Sequence, residues 1–334
     1  MVFTHSAFLH AGDSAYASTV SAFVREGLER DEAVAVAAGP GRIGLLRDTL
    51  AADARAVRFL PADQWYVRPA RTIAGWAQIL RAAVAQGRPR ARLVGEIPYA
   101  DMPDTWVRFE AALNRSLAEL DGHLLCPYDR SALPAAVIAA AGRTHPRLHD
   151  GGWLDNAGYE QPESVLEATP EPLWPVTGEP LVSVPVTDSV PGLRTAVRER
   201  ATAEGWLTAD RADLLALAIT ELATNGIRHG GRSRELRIWV LPDAVVGEIS
   251  DDGAATLQPL SGYLLPDPTT AGGMGLWLVQ QLCDSLAVYR LDGCTYARFA
   301  VRRSRRSAGL DESELGRADA GEDGGDVRDA AAVS

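Results

Sequence analysis

Between residues 5 and about 142, short apolar runs alternate with longer stretches in which apolar residues recur every three or four positions. The short runs are "SAFLH" at 6–10, "AVAVAA" at 33–38, "AVRFL" at 56–60, "ARLVGEI" at 91–97 and "HLLCPY" at 123–128, and they predict strands. The stretches between them, near 14–29, 40–53, 70–86, 104–119 and 131–141, predict amphipathic helices. Strand and helix in turn imply a parallel sheet covered on both faces, a doubly wound α/β domain. The pattern breaks between 143 and 185, where seven prolines interrupt any period. This segment is expected to run as an irregular linker pinned by Trp153 and Trp174. A second α/β unit follows, with helices near 190–204 and 208–228, strands near 235–241 and 244–250, a helix near 275–285, and strands near 286–291 and 295–302. After Arg306 the chain is acidic, rich in Gly and Ala and free of aromatics, the composition of a disordered tail.

Length agrees with two domains: 334 residues give each half enough chain for its own core. A net charge of -11 repels nucleic acid, so direct nucleic-acid binding is disfavoured. No apolar run reaches the roughly 18 residues that span a bilayer, and "MVFTHSAFLHAGDS" lacks a basic region followed by an apolar one. A cytoplasmic protein without membrane contact is expected. Cys126, Cys283 and Cys294 have no metal-site spacing, which argues against a disulfide framework or a zinc site and leaves buried thiols. All 33 basic residues are arginine. Without lysine neither a P-loop nor a protein-kinase-type phosphate site can be built.

Three stretches carry candidate chemistry. In "ELATNGIRHGG", Glu221, Thr224, Asn225, Arg228 and His229 fall on one stripe of a helix whose other face is apolar. Taken alone this is an ordinary amphipathic helix that stops at Gly230. In "EISDDGAA" a strand ends in Asp251, Asp252 and Gly253, a place where a carboxylate accepts a hydrogen bond from an exocyclic amine, or simply a turn. In "AGGMGLWLVQQL", Gly272, Gly273 and Gly275 lead into a helix, where converging N–H groups and the helix dipole favour an anion. A fourth glycine-rich turn, with Gly39, Gly41 and Gly44, approximates a phosphate loop but has no acidic residue where one is expected, so a tight turn is the simpler reading.

Taken in order, these boxes make residues 185–303 resemble the GHKL (Bergerat-fold) ATPases, and within them the anti-sigma factor serine kinases of the RsbW and SpoIIAB type. The resemblance implies an α/β sandwich, ATP and Mg²⁺ as cofactors, and a role for each matching residue. Glu221 is then the general base and Asn225 the Mg²⁺ ligand of an N box that includes His229 and Gly230. Asp251 receives the adenine amine beside Gly253; Gly273, Gly275 and Leu276 contact phosphate; and Thr295, after Gly293, lies beside adenine. Arg228 faces phosphate. The sequence departs from the family at Ala255, where a second glycine is usual, and this puts ATP affinity and catalysis in question. A histidine kinase would need a phosphoacceptor histidine on a helical hairpin just upstream, and the proline-rich segment with His145 and His149 offers none.

Residues from about 4 to 148, through "HSAFLHAGDS", "LLCPYD" and "RTHPRL", resemble the MEDS sensory domain, a RecA-like unit. The resemblance implies an input domain for a small-molecule ligand, with His5, His10, Glu96, Cys126 and Tyr128 at strand ends as candidate contacts; core or turn roles are the simpler reading of them. The expected organisation is therefore a sensor at 1–149, a linker at 150–184 that transmits the signal, the ATPase at 185–303 and a tail at 304–334. As implied by the resemblance, the partners are a sigma factor, a STAS-domain anti-anti-sigma protein phosphorylated on serine, and a second copy of the chain in a homodimer. The alternative is a nucleotide-binding partner-switch module that captures proteins without phosphoryl transfer.

Overall fold

The computed structural model describes residues 3–99, 103–228, 233–253, 258–266 and 274–303. The first domain runs β1 (Thr4–His10), α1 (Gly12–Glu29), β2 (Ala33–Ala38), α2 (Pro40–Leu50), β3 (Val57–Pro61), α3 (Ala62–Trp65), α4 (Pro69–Ala85), β4 (Ala91–Gly95), α5 (Pro103–Ser116), β5 (Gly122–Asp129) and α6 (Ala135–Thr144). It continues into β6 (Arg147–His149), β7 (Trp153–Asp155) and α7 (Pro162–Ala168). The sheet has the order β3-β2-β4-β5-β1-β6-β7, parallel throughout except for β7. Successive side chains along each strand face opposite layers. Ala7, Leu93, Leu124, Cys126 and Tyr128 meet α4, α5 and α6, whereas Phe8, Val34, Val36 and Leu125 meet α1 and α2.

The proline-rich segment departs from expectation. Instead of an irregular linker, it adds β6, β7 and α7 to the first domain. Pro162 occupies the first turn of α7, where no N–H is needed, and Val165 and Leu166 are buried in the core against α5. Helix α6 begins four residues later than its predicted start near 131, because Pro134 immediately precedes it in an extended conformation. Trp174 does pin the remainder of the segment, packing with Val176 on Trp239, Val246 and Ala300 of the second sheet.

The second domain contains β8 (Val182–Pro185), α8 (Val190–Ala203), α9 (Ala209–Arg228), β9 (Arg234–Val240), β10 (Ala244–Asp251), α10 (Met274–Leu282), β11 (Ser285–Leu291) and β12 (Cys294–Arg302). Its sheet, β11-β12-β10-β9-β8, is antiparallel at every pairing. Helices α8, α9 and α10 share one core with the sheet, through Leu215, Ile219, Leu222, Val279 and Phe299. The whole is a mixed α/β chain, one domain parallel-rich and the other with an antiparallel sheet under helices, in agreement with the α/β halves expected from the pattern and the sandwich implied by the resemblance. Among the described residues no helix is long and apolar enough to cross a membrane. The tail expected at 304–334 lies outside the described residues.

The two domains touch directly, so a signal need not travel through the segment between them. Leu260 and Tyr263, from the chain between β10 and α10, are buried in the core of the first domain. Ser116 donates to the Tyr263 carbonyl (3.0 Å). The Tyr263 hydroxyl donates to Glu171 (2.7 Å), which also receives Arg108 Nε (2.6 Å). A second link joins Arg68, beside α4, to Asp284 after α10 (2.8 Å), and Asp284 also holds Arg211 of α9 (2.6 Å).

Candidate functional site

Four elements of the second domain converge on a cavity of about 590 Å³. Asn225 comes from the polar stripe of α9, Asp251 from the end of β10, Leu276 from the first turn of α10, and Thr295 from β12, where it pairs directly with Asp251. The opposite wall is contributed by Arg108, Leu166 and Glu171 of the first domain and its extension. Asp251 Oδ1 accepts the Gly253 N–H (2.9 Å), which fixes the carboxylate at the strand end. Thr295 Oγ1 is buried and has no hydrogen-bond partner among the described residues. Gly226 lies against Asp251, where an added Cβ would meet the carboxylate at an ordinary contact distance of 3.6 Å.

Glu221 stands one turn before Asn225, half-buried, against the start of α10. A Cβ on Gly275 would lie 2.7 Å from Glu221 Oε2 and 3.3 Å from Asn225 Nδ2, so a side chain there would have to push the Glu221 carboxylate aside. Arg228 is exposed in the last turn of α9 and is not among the residues that line the cavity. His229, Gly230, Ala255, Gly272 and Gly273 lie outside the described residues.

In the first domain the alternation of β1 divides the expected ligand contacts into two groups. His5, Cys126 and Tyr128 face α5, where they meet Glu110 and His145; the four donors His5, Glu110, Cys126 and His145 are all buried. His5 Nε2 is 2.9 Å from Glu110 Oε2, and Tyr128 donates to Glu110 Oε1 (3.1 Å). Burial pushes Glu110 up, but the imidazoles of His145 and His5 outweigh it and hold its carboxyl below the usual range. Burial and the neighbouring Glu110 push the Cys126 thiol up. His10 and Glu96 sit elsewhere, at the carboxyl ends of β1 and after β4, with Tyr16 and Arg42. Arg42 reaches Glu96 (3.5 Å), Asp129 (3.2 Å) and Asp13 (2.5 Å) there. Glu110 was not among the contacts expected from sequence; its signal was a carboxylate inside the apolar stripe "WVRFEAAL".

Both halves match known families. Residues 4–146 match the model described as MEDS: MEthanogen/methylotroph, DcmR Sensory domain. Residues 185–301 match the Histidine kinase-like ATPase domain. The chain joins a MEDS domain to a histidine-kinase-like ATPase domain. Among curated proteins none matches it. The ATPase domain implies ATP binding, and in the cavity a Thr295 hydroxyl without a hydrogen-bond partner among the described residues and the Asp251 carboxylate line the same space. Asn225, also in the lining, offers an amide oxygen suited to a hard cation such as Mg²⁺.

Proposed function

We propose that this sensor-linked ATP-binding regulator is a protein serine kinase of the anti-sigma type, which sequesters a sigma factor and phosphorylates a STAS-domain antagonist. The observation that supports it most is the gathering of Asn225, Asp251, Leu276 and Thr295 from four elements around one cavity, with Glu221 a turn away from Asn225. Bound ATP supplies the phosphoryl group. Asp251 accepts the adenine amine and Thr295 Oγ1 donates or accepts beside it. Asn225 Oδ1 would hold Mg²⁺, and the N–H groups at the start of α10 favour the phosphates. Glu221 accepts the proton of the attacking serine hydroxyl, so that the serine oxygen gains the phosphoryl group as ADP leaves. Capture of the sigma factor, the cytoplasmic location and assembly as a homodimer belong to the same reading.

Replacing Glu221 by Gln is expected to lower radiolabel transfer from ATP to a STAS partner by about 100-fold or more, with nucleotide affinity retained. Unchanged transfer would overturn the base assignment. Asp251→Asn, by contrast, is expected to weaken ATP binding itself by about tenfold, read by calorimetry, because an acceptor of the adenine amine becomes part donor. A second reading, partner capture without phosphoryl transfer, draws support from the tight packing of Gly275 on the Glu221 carboxylate. Absence of transfer by the wild-type chain, with ATP bound and partner captured, would establish it in place of the kinase.

A further inference from the structure

We infer that the MEDS domain holds one divalent transition metal of the zinc class, bound by His5 Nε2, Glu110 Oε2, Cys126 Sγ and His145 Nε2. The four donors come from β1, α5, β5 and the residue after α6, and lie within 4.8 Å of one another. The separations are 2.9 Å for His5–Glu110, 3.3 Å for His145–Glu110, 3.4 Å for His5–Cys126 and 3.7 Å for Cys126–Glu110. A tetrahedral ion with bonds of about 2.0–2.3 Å keeps its donors about 3.3–3.8 Å apart, so three of these four edges need almost no movement and the fourth a few tenths of an ångström; the remaining two, His5–His145 and Cys126–His145, lie within 4.8 Å. The spacing of the cysteines along the chain excludes only a zinc site built from cysteines. This set takes one thiol and is assembled by the β1–β5 register, which places Ala7 beside Cys126 and His5 two residues away on the same face.

Outer contacts orient the donors inward. The His5 Nδ1–H donates to Asn114 Oδ1 (3.1 Å), whose amide nitrogen is fixed by the Thr144 carbonyl (2.8 Å). The His145 Nδ1–H donates to the Ala141 carbonyl (2.9 Å). Each ring therefore donates through Nδ1, and in its neutral form turns the Nε2 lone pair toward Glu110 and Cys126. His145 Nε2 is fully buried and has no hydrogen-bond partner among the described residues. Tyr128 occupies Glu110 Oε1 and leaves Oε2 to the centre. Lone pairs aimed at a carboxylate call for a cation between them, and metal-bound histidines in general give their second N–H to just such acceptors. Charge closes as well: a divalent ion displaces the Cys126 thiol proton to solvent, and Glu110 with the thiolate then neutralises it in a site sealed from water. Two imidazoles, a thiolate and a carboxylate suit zinc or its substitutes rather than calcium or magnesium.

The test uses the tag-free full-length chain, stripped with chelator and reloaded with zinc or cobalt, with metal measured by mass spectrometry. One tightly held equivalent per chain is expected. The cobalt form should show a thiolate-to-metal charge-transfer band and intense visible bands of tetrahedral type. Cys126→Ser should abolish the charge-transfer band, while Cys283→Ser leaves it intact. Asn114→Ala keeps all four donors and should weaken metal binding by about 10- to 100-fold, which an effect on folding alone, followed by circular dichroism, would not produce. A folded wild-type chain that takes up no zinc or cobalt would overturn the inference, and so would a charge-transfer band that survives Cys126→Ser. Neither outcome bears on ATP binding in the second domain, so the two readings fail separately.

Discussion

His123 of β5 is enclosed by Arg92 of β4, Arg147 of β6, Ser6 of β1, Phe23 of α1 and Trp153 of β7. Burial, then the charges of Arg92, Arg90 and Arg147, bring its pKa down to about 3. The unfolded chain titrates this group near the ordinary 6.5, so it binds a proton that the folded chain refuses. Stability is expected to fall as pH drops from about 6.5 toward 3, by up to ~1.4 kcal/mol per unit from this residue. His123→Gln should flatten that slope in denaturant titrations at several pH values. At this scale the sequence was legible where chemistry is local. Asp251 ends β10 and accepts the Gly253 N–H, and Thr295 pairs with it across β12 beside the same cavity, a placement that a few residues at a turn or strand end fix locally. Glu110 was not legible. Only the pairing of β1 with β5 and the docking of α5 bring it to His5 and Cys126, residues more than a hundred positions apart from one another in the case of that pair.

Among the elements, β10 and β12 show how closely the second sheet is fitted. A Cβ on Gly247 would lie 2.4 Å from the buried ring of its cross-strand neighbour Phe299. Gly247→Ala is expected to cost about 1–3 kcal/mol, measured by thermal or chemical unfolding, because an enclosed ring has little room to move. Helix α7 depends on a distant side chain in a comparable way. Arg108 Nη1 donates to the carbonyls of Leu166 (2.8 Å) and Thr169 (2.5 Å), which end that helix. Removing it with Arg108→Ala should expose the segment after α7 to early proteolysis. The strands and long helices were readable from periodicity because each holds one face against a core. Three-residue strands such as β6 and β7 are too short to show a period, and α7 was hidden by prolines that its first turn in fact tolerates.

Across the whole molecule, Asp284 is the tie between domains. It sits between Arg68 and Arg211 and also accepts the Arg302 N–H (2.8 Å). Asp284→Ala leaves two partly buried guanidinium groups without their carboxylate, at a cost of about 3 kcal/mol. Calorimetry should then resolve two unfolding transitions where the parent chain gives one. The second tie, Tyr263 with Ser116, Arg108 and Glu171, fastens the chain between β10 and α10 to helix α5. Helix α5 thus serves two places at once, offering Glu110 and Asn114 to the buried histidines and Arg108 to the wall of the nucleotide cavity. Thermodynamics makes any influence along this helix mutual: whatever factor an occupant at Glu110 imposes on ATP affinity, ATP must impose on that occupant. A chain that reports its input through ATP therefore also adjusts, through the cell's supply of nucleotide, how readily it takes up that input.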